Sequence, residues 1–215
     1  MSRDDAGQHD PDQGDPRPTD SKSARTRERI LDAAAVVLNS KGYAGTRLSD
    51  IAEIAEIQAP AIYYYFASRD EVIQEVVQVG QRRVMAHVGA TLAAMPSDAD
   101  PLDRILAAVT AHLEVVLRDS QYAAAAIRNA SQLPAAIREV QLLDQRRYGD
   151  LWRRLIEDGQ ASGAITRDLE PGAVRMFIMG AMNWAPEWWH EERGALAETL
   201  TTAQEFVRRG LEPRF

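Results

Sequence analysis

Along residues 30–38 the apolar positions fall at Ile30, Ala33, Ala34, Val37 and Leu38, the spacing of a helix with one buried face. Gly42 is placed to end that helix. Thr46 is placed as the N-cap of a second, whose narrow apolar face is Leu48, Ile51, Ala52 and Ala55. Proline is tolerable only in a first turn, where its missing N–H would be unpaired in any case, so residues 60–65 read as a third, very short helix. Ser68 and Glu71 form the capping box S-R-D-E of a fourth. Breaks at 96–98 and 100–101, around 118–120, at Pro134, at 162–163, at 170–172 and over 186–194 divide the remainder into about five more helices. No strand pattern runs beyond a few residues. The expectation is an all-α chain of about nine helices, three short ones at the N-terminus followed by a larger bundle.

Charge and composition sharpen this picture. Residues 1–20 carry six Asp against two Arg, net −4, with Pro, Gly and Gln and almost nothing apolar, so a disordered acidic tail is expected there and helix from residue 24 onward. Residues 21–69 carry seven basic against five acidic side chains, net +2, although the whole chain is at −7. The basic surplus is therefore local. With no cysteine, disulfide frameworks, thiolate zinc sites and cysteine nucleophiles are excluded. The N-terminus has no apolar signal segment, and no window reaches the roughly 18 apolar residues of a membrane-spanning helix, so a cytoplasmic protein without a membrane partner is expected.

The run Ala61-Ile62-Tyr63-Tyr64-Tyr65-Phe66 raises the sharpest question, because aromatic residues are only 7% of the chain. Successive helical side chains are spread around the axis, so four aromatics cannot all face one core. Ile62, Tyr65 and Phe66 share a face and are expected to pack on the first two helices. Tyr63 and Tyr64 then point outward. One reading leaves them as surface aromatics. The other is a helix-turn-helix whose second helix enters a DNA major groove, with phenol hydroxyls reaching phosphate and rings packing on sugar or thymine methyl. Lys22, Arg25, Arg27, Arg47 and Arg69 surround the run, and a helix N-terminus at Thr46 is a seat for phosphate.

Residues 26–75 resemble the TetR-type transcriptional repressors. The block Thr46 … Asp50-Ile51-Ala52 … Ile62-Tyr63-x-Tyr65-Phe66 … Ser68-Arg69-Asp70-Glu71 is similar to the family signature in order and spacing. The resemblance implies a double-stranded DNA operator as partner, touched by Thr46, Arg47, Gln58, Ala59, Ala61, Tyr63, Tyr64 and Arg69. Gln58, the longest polar side chain at the helix start, is the leading base reader. Glu56 stands where the family's turn usually has Gly, so a left-handed backbone there would cost about 1 kcal/mol. On this reading residues 21–68 form the helix-turn-helix domain and 69–215 a ligand-binding and dimerisation domain.

One helix-turn-helix binds weakly, so a homodimer is expected. Val174, Phe177, Ile178 and Ala181 form one helical stripe; Leu196, Leu200, Ala203 and Val207 form another with coiled-coil spacing. Each stripe can face its own core or a partner, and the resemblance implies a four-helix interface built from both. In the middle of the chain Met85, His112, Tyr122, Tyr148, Trp152, Met176 and Met179 are candidates to line an apolar cavity. The ending Asn183-Trp184 … Trp188-Trp189 resembles the branch that senses fatty-acyl-CoA or steroid-CoA thioesters, which adds Trp184 to the pocket and an acyl-CoA as effector. The four histidines lie at no metal-ligand spacing, and no phosphate-cradling or nucleophile-elbow motif occurs, so neither a metal nor a cofactor nor catalysis is expected. The alternatives are an all-α binding or scaffold protein without DNA affinity, and an enzyme acting on CoA thioesters.

Overall fold

The computed structural model describes residues 18–119 and 121–213. The expected tail lies outside them, except that helix α1 (Pro18–Gly45) already begins at residue 18, six residues ahead of the expected start. Proline at a first helical position loses no hydrogen bond, so Pro18 can open the helix. Gly42, at φ 68 and ψ 176, interrupts α1 where the sequence placed its end. Helix α2 (Leu48–Ile54) follows, then a turn at Glu56, then a 3-10 helix (Ala59–Tyr64) with Pro60 in its first turn. Glu56 has φ 53, the left-handed conformation anticipated from its place in the turn.

Ser68 caps α3 (Arg69–Ala94), its hydroxyl accepting from Glu71 N at 3.1 Å, while Glu71 reaches back to Ala67 N. Helix α4 (Pro101–Glu114) is capped by Asp100, which accepts from Leu102 N at 2.8 Å. A π-helical stretch (Val115–Asp119) leads toward α5 (Gln121–Asn129). Next come α6 (Ala135–Ser162), ended by Gly163 at φ 81, and α7 (Pro171–Trp188). A short 3-10 turn (Glu191–Arg193) precedes α8 (Leu196–Leu211). Among the described residues there are no strands. One expected break moves: Pro186 lies inside α7 instead of ending it. It stands in the last turn, so the helix runs only two residues beyond it.

Two apolar cores result. The first joins Ile30, Leu38, Ile51, Ile62 and Phe66 to the opening turns of α3 at Val72, Ile73, Val76 and Val77. The second joins the later turns of α3 to α4, α6, α7 and the end of α8. Helix α5 lies between them, giving Tyr122 and Ala125 to the first and Ala123 to the second. Helices α3 and α5 are therefore the shared walls of the two units.

Candidate functional site

The first candidate surface is the helix-turn-helix unit. Ile62 and Phe66 are buried under α1, and Arg27 lies 4.8 Å over the Phe66 ring while pairing with Glu75. That fixes the 3-10 helix in rotation. Tyr63 is left 62% exposed and Tyr64 81%. Tyr65 is half-buried, its ring 5.0 Å from that of Tyr64 in an edge-to-face pair. Arg47 and Gln58 are exposed at the starts of α2 and the 3-10 helix, and neither side chain is spent on capping. Ala61 is also exposed, while Ala59 is half-buried against the core.

Two expectations change here. Thr46 is not the N-cap of α2; Arg47 holds that position. Thr46 is only 1% exposed, and its hydroxyl donates to Gly42 O at 2.7 Å, satisfying the carbonyl left free where α1 breaks. Its side chain is thus not available to phosphate. Arg69 is half-buried and its guanidinium stacks 4.5 Å over the Tyr43 ring. It donates to Tyr43 O, Thr46 O and Asp70 Oδ1 at 3.4, 3.3 and 2.9 Å, while the Tyr43 hydroxyl donates to the same carboxylate at 3.0 Å. Arg69 clamps the link between α1 and α2.

The second candidate is a cavity of about 320 Å³ walled by α3, α4, α5, α6 and α7. Of the expected lining, His112, Tyr148 and Met179 are there. The other five fall elsewhere. Met85 packs on the C-terminal core, and Trp152 is fully buried behind Tyr148, edge-to-face at 6.3 Å. Met176 and Trp184 are exposed because α7 turns its Met179 and Asn183 face inward instead. Tyr122 belongs to the N-terminal core and donates to Asp32 of α1 at 2.6 Å.

Sequence reasoning missed Gln81, Gln141 and Gln145, which line the cavity. Gln141, Gln145 and Tyr148 share a face of α6, a spacing that was readable, but polar residues at helical spacing read as surface. Nδ1 of His112 lies 2.8 Å from the Tyr148 hydroxyl. Burial lowers the His112 pKa from 6.5 to about 4, with the Asn183 amide opposing, so the ring is neutral at pH 7. Burial pushes the Tyr148 phenol up, so it keeps its proton.

Helix α5 connects the two candidates. Ala123, Ala126 and Ile127 face the cavity. From the same helix, besides the Tyr122–Asp32 bond, Asn129 donates to Leu38 O at 3.2 Å and accepts from Tyr43 N at 2.9 Å. Asn39 donates to Gln121 O at 2.8 Å. Helix α5 is thereby hydrogen-bonded to α1 on one side while it walls the cavity on another.

A third feature is an apolar groove of about 740 Å³ between α7 and α8, both of which pack on α4. The expected stripes divide here. Val174 and Ile178 are buried in the chain's own core, and Leu200, Ala203 and Val207 pack partly against it, while Leu196 is half-buried. Phe177 is 81% exposed, Ala181 is exposed, and Phe206, which the spacing argument passed over, is 77% exposed. Among the described residues no helix is long and apolar enough to cross a membrane, and no group of three acidic, histidine or cysteine side chains is arranged for a metal.

Comparison with known proteins completes the assignment. Residues 30–76 match the model of bacterial regulatory proteins of the tetR family, and residues 98–208 that of the tetracyclin repressor-like C-terminal domain. The HTH-type transcriptional repressor KstR2 of Mycolicibacterium smegmatis is 25% identical over 185 residues, 83% of this chain and 86% of that protein. The ketosteroid transcriptional regulator KstR2 of Mycobacterium tuberculosis has the same fold, with a TM-score of 0.77 at 20% identity over 87% of this chain and 95% of that one. AibR, solved in complex with isovaleryl coenzyme A and operator DNA, superposes with a TM-score of 0.76 at 19% identity, covering 88% of this chain and all of its own. The relatives are named as regulators of transcription and not as enzymes. With an N-terminal helix-turn-helix, a C-terminal bundle and a family match across more than half its length, this chain belongs to the TetR family of transcriptional regulators.

Proposed function

We propose that this protein is a homodimeric transcriptional repressor that binds a palindromic operator and is released from it by a CoA thioester. The observation that carries the DNA reading is the outward pair Tyr63 and Tyr64 on a short helix whose other face is locked into the core. Arg47, Gln58 and Ala61 are exposed as well and complete the contact set, with Ala59 giving its backbone. Thr46 and Arg69 act behind it by holding the turn. Residues 21–68 form the DNA-binding domain and 69–215 the effector and dimer domain, with α3 shared at the boundary.

The second subunit fills the groove between α7 and α8, where Phe177 and Phe206 are otherwise left in water. The acyl part of the effector enters the cavity beside α5, in keeping with the resemblance around Asn183-Trp184 and with the isovaleryl-CoA ligand of AibR. Arg82 and Arg146, exposed and next in sequence to the wall residues Gln81 and Gln145, would take the CoA phosphates. Ligand shifts the population toward a state in which α5 has moved α1, so the two recognition helices no longer match successive grooves; its effect equals its differential affinity for the two states. The protein works in the cytoplasm. A gel-shift with the DNA upstream of its own gene is expected to give a salt-sensitive complex that long-chain acyl-CoA dissolves and free CoA does not. No shift with that DNA at low salt would overturn the proposal.

A further inference from the structure

The cavity beside α5 contains two polar groups that the protein itself does not satisfy. Nε2 of His112 and Nε2 of Gln141 belong to residues that line the cavity, are buried, and make no hydrogen bond of good geometry, although the Asn183 amide in the same wall interacts with the His112 ring. Buried polar groups are nearly always paired, so two in one cavity call for an occupant. Their chemistry can be read from their neighbours. His112 is neutral, so one ring nitrogen carries a proton and the other does not. If the Tyr148 hydroxyl donates to Nδ1, the bond at 2.8 Å is satisfied and only Nε2–H is left over. If Nδ1–H donates instead, both the phenol proton and the Nε2 lone pair go unused. The first arrangement leaves fewer orphans, and it makes Nε2 a donor. For Gln141, the amide oxygen already accepts from Gln145 Nε2 at 3.5 Å, which turns the NH2 group away from that neighbour. Both unsatisfied groups are therefore donors.

The walls set the charge of what they meet. Among the described residues none that lines the cavity is charged, and apolar side chains from α3 and α5 make up much of the rest. A carboxylate here would be a buried charge with no counter-ion, whereas a neutral oxygen acceptor would be paired at no such cost. Resting on the proposed effector reading, we propose that the cavity selects an acyl group bearing a second, neutral carbonyl oxygen beyond that of the thioester, taken by His112 Nε2–H, over the same acyl group without it; Gln141 is a separate donor farther along the cavity. Tyr148 is a positioning residue: it fixes which nitrogen of His112 holds the proton. Helix α6 rises about 1.5 Å per residue, so Gln141 stands on the order of 10 Å along it from Tyr148, and the two donors lie at different depths.

The test uses the full chain and two matched pairs: 4-cyclohexylbutanoyl-CoA against 4-(4-oxocyclohexyl)butanoyl-CoA, and the N-ethyl amides of the same two acids. Affinity is measured by calorimetry and release by gel-shift. A site built to pair an oxygen rejects the analogue lacking it, so the oxo member is expected to bind on the order of tenfold tighter or more. His112→Phe should abolish that preference while the hydrocarbon member still binds, and Tyr148→Phe should reduce it. Gln141→Leu should leave it nearly unchanged, with thermal stability near that of the parent. Preference for the oxo amide without any binding of either thioester would sustain the carbonyl site and overturn the CoA reading. Equal affinities within the thioester pair would overturn the carbonyl site and leave the CoA reading standing. Failure of all four compounds to bind would overturn both.

Discussion

Tyr63 and Phe66 differ by three positions in one short helix, yet removing them should have opposite consequences. Tyr63→Ala or Tyr64→Ala takes away a ring that contacts little of its own chain, so the melting temperature should hardly move while operator binding weakens by about 1–3 kcal/mol. Phe66→Ala empties a buried site and should destabilise by about 3–5 kcal/mol, seen as a lower denaturation midpoint. Reversal of the two outcomes would mean that the helix is rotated. His112 gives a separate readout. Its folded pKa is lowered to about 4 from 6.5, so the unfolded chain binds the proton more readily. The contribution of the neutral, buried ring is complete above pH 6.5 and is lost as pH falls toward 4. Denaturation midpoints followed across that range should decline more steeply for the parent than for His112→Phe. At this scale the facing of the tyrosine run was legible, because a four-residue aromatic run leaves few ways to bury a helix. The burial of Thr46 was not: its hydroxyl serves a carbonyl exposed by the break at Gly42, and a helix break's hydrogen-bond bookkeeping is not a property of the Thr46 neighbourhood alone.

Helix α3 shows what a single glycine does for the contact between elements. A Cβ on Gly80 would lie 2.2 Å from Tyr122 O and 2.5 Å from its carbonyl carbon. Those are backbone atoms of α5, so no side chain can give way, and α3 and α5 would have to part. Gly80→Ala should therefore cost about 1–3 kcal/mol despite the better helix propensity of alanine. Gly89 in the same helix has nothing within 4 Å of its Cβ, and Gly89→Ala should stabilise by up to about 1 kcal/mol. Urea midpoints of the two variants moving in the same direction would refute the close approach. The helices themselves were legible from caps and breaks: Ser68, Asp100 and Gly163 all stand where helices begin or end. What the pattern along one helix does not carry is which neighbour it meets. Val174 and Phe177 looked equivalent in the α7 stripe, yet one is buried in its own core and the other is exposed. Tyr122 was read as pocket lining because it is an aromatic residue of the middle of the chain, but it packs in the N-terminal core and bonds Asp32.

The whole molecule has more apolar surface than a single chain can use. Phe177 on α7 and Phe206 on α8 stand on either side of a groove lined by Ala181, Met182 and Val207, and contiguous exposed patches of this kind mark interaction sites. A second copy is the occupant that also answers the need of the DNA-facing side, since a two-fold pair of helix-turn-helix units binds two half-sites at once. Because both phenylalanines are exposed in the single chain, Phe177→Glu and Phe206→Glu should leave its fold intact. In a dimer each would bury a charge without a counter-ion, which is expensive enough to split a modest interface. The expected result is a folded monomer by light scattering and circular dichroism. Operator affinity should then fall on the order of a hundredfold or more with every DNA-contacting residue unchanged, because the second half-site no longer binds as part of the same molecule. Val207→Glu separates two kinds of damage: Val207 is half-buried in the chain's own core, so it should lower thermal stability as well. A dimer of unchanged mass for both phenylalanine variants would place the interface elsewhere and overturn the proposed route from α5 to the spacing of the two helix-turn-helix units.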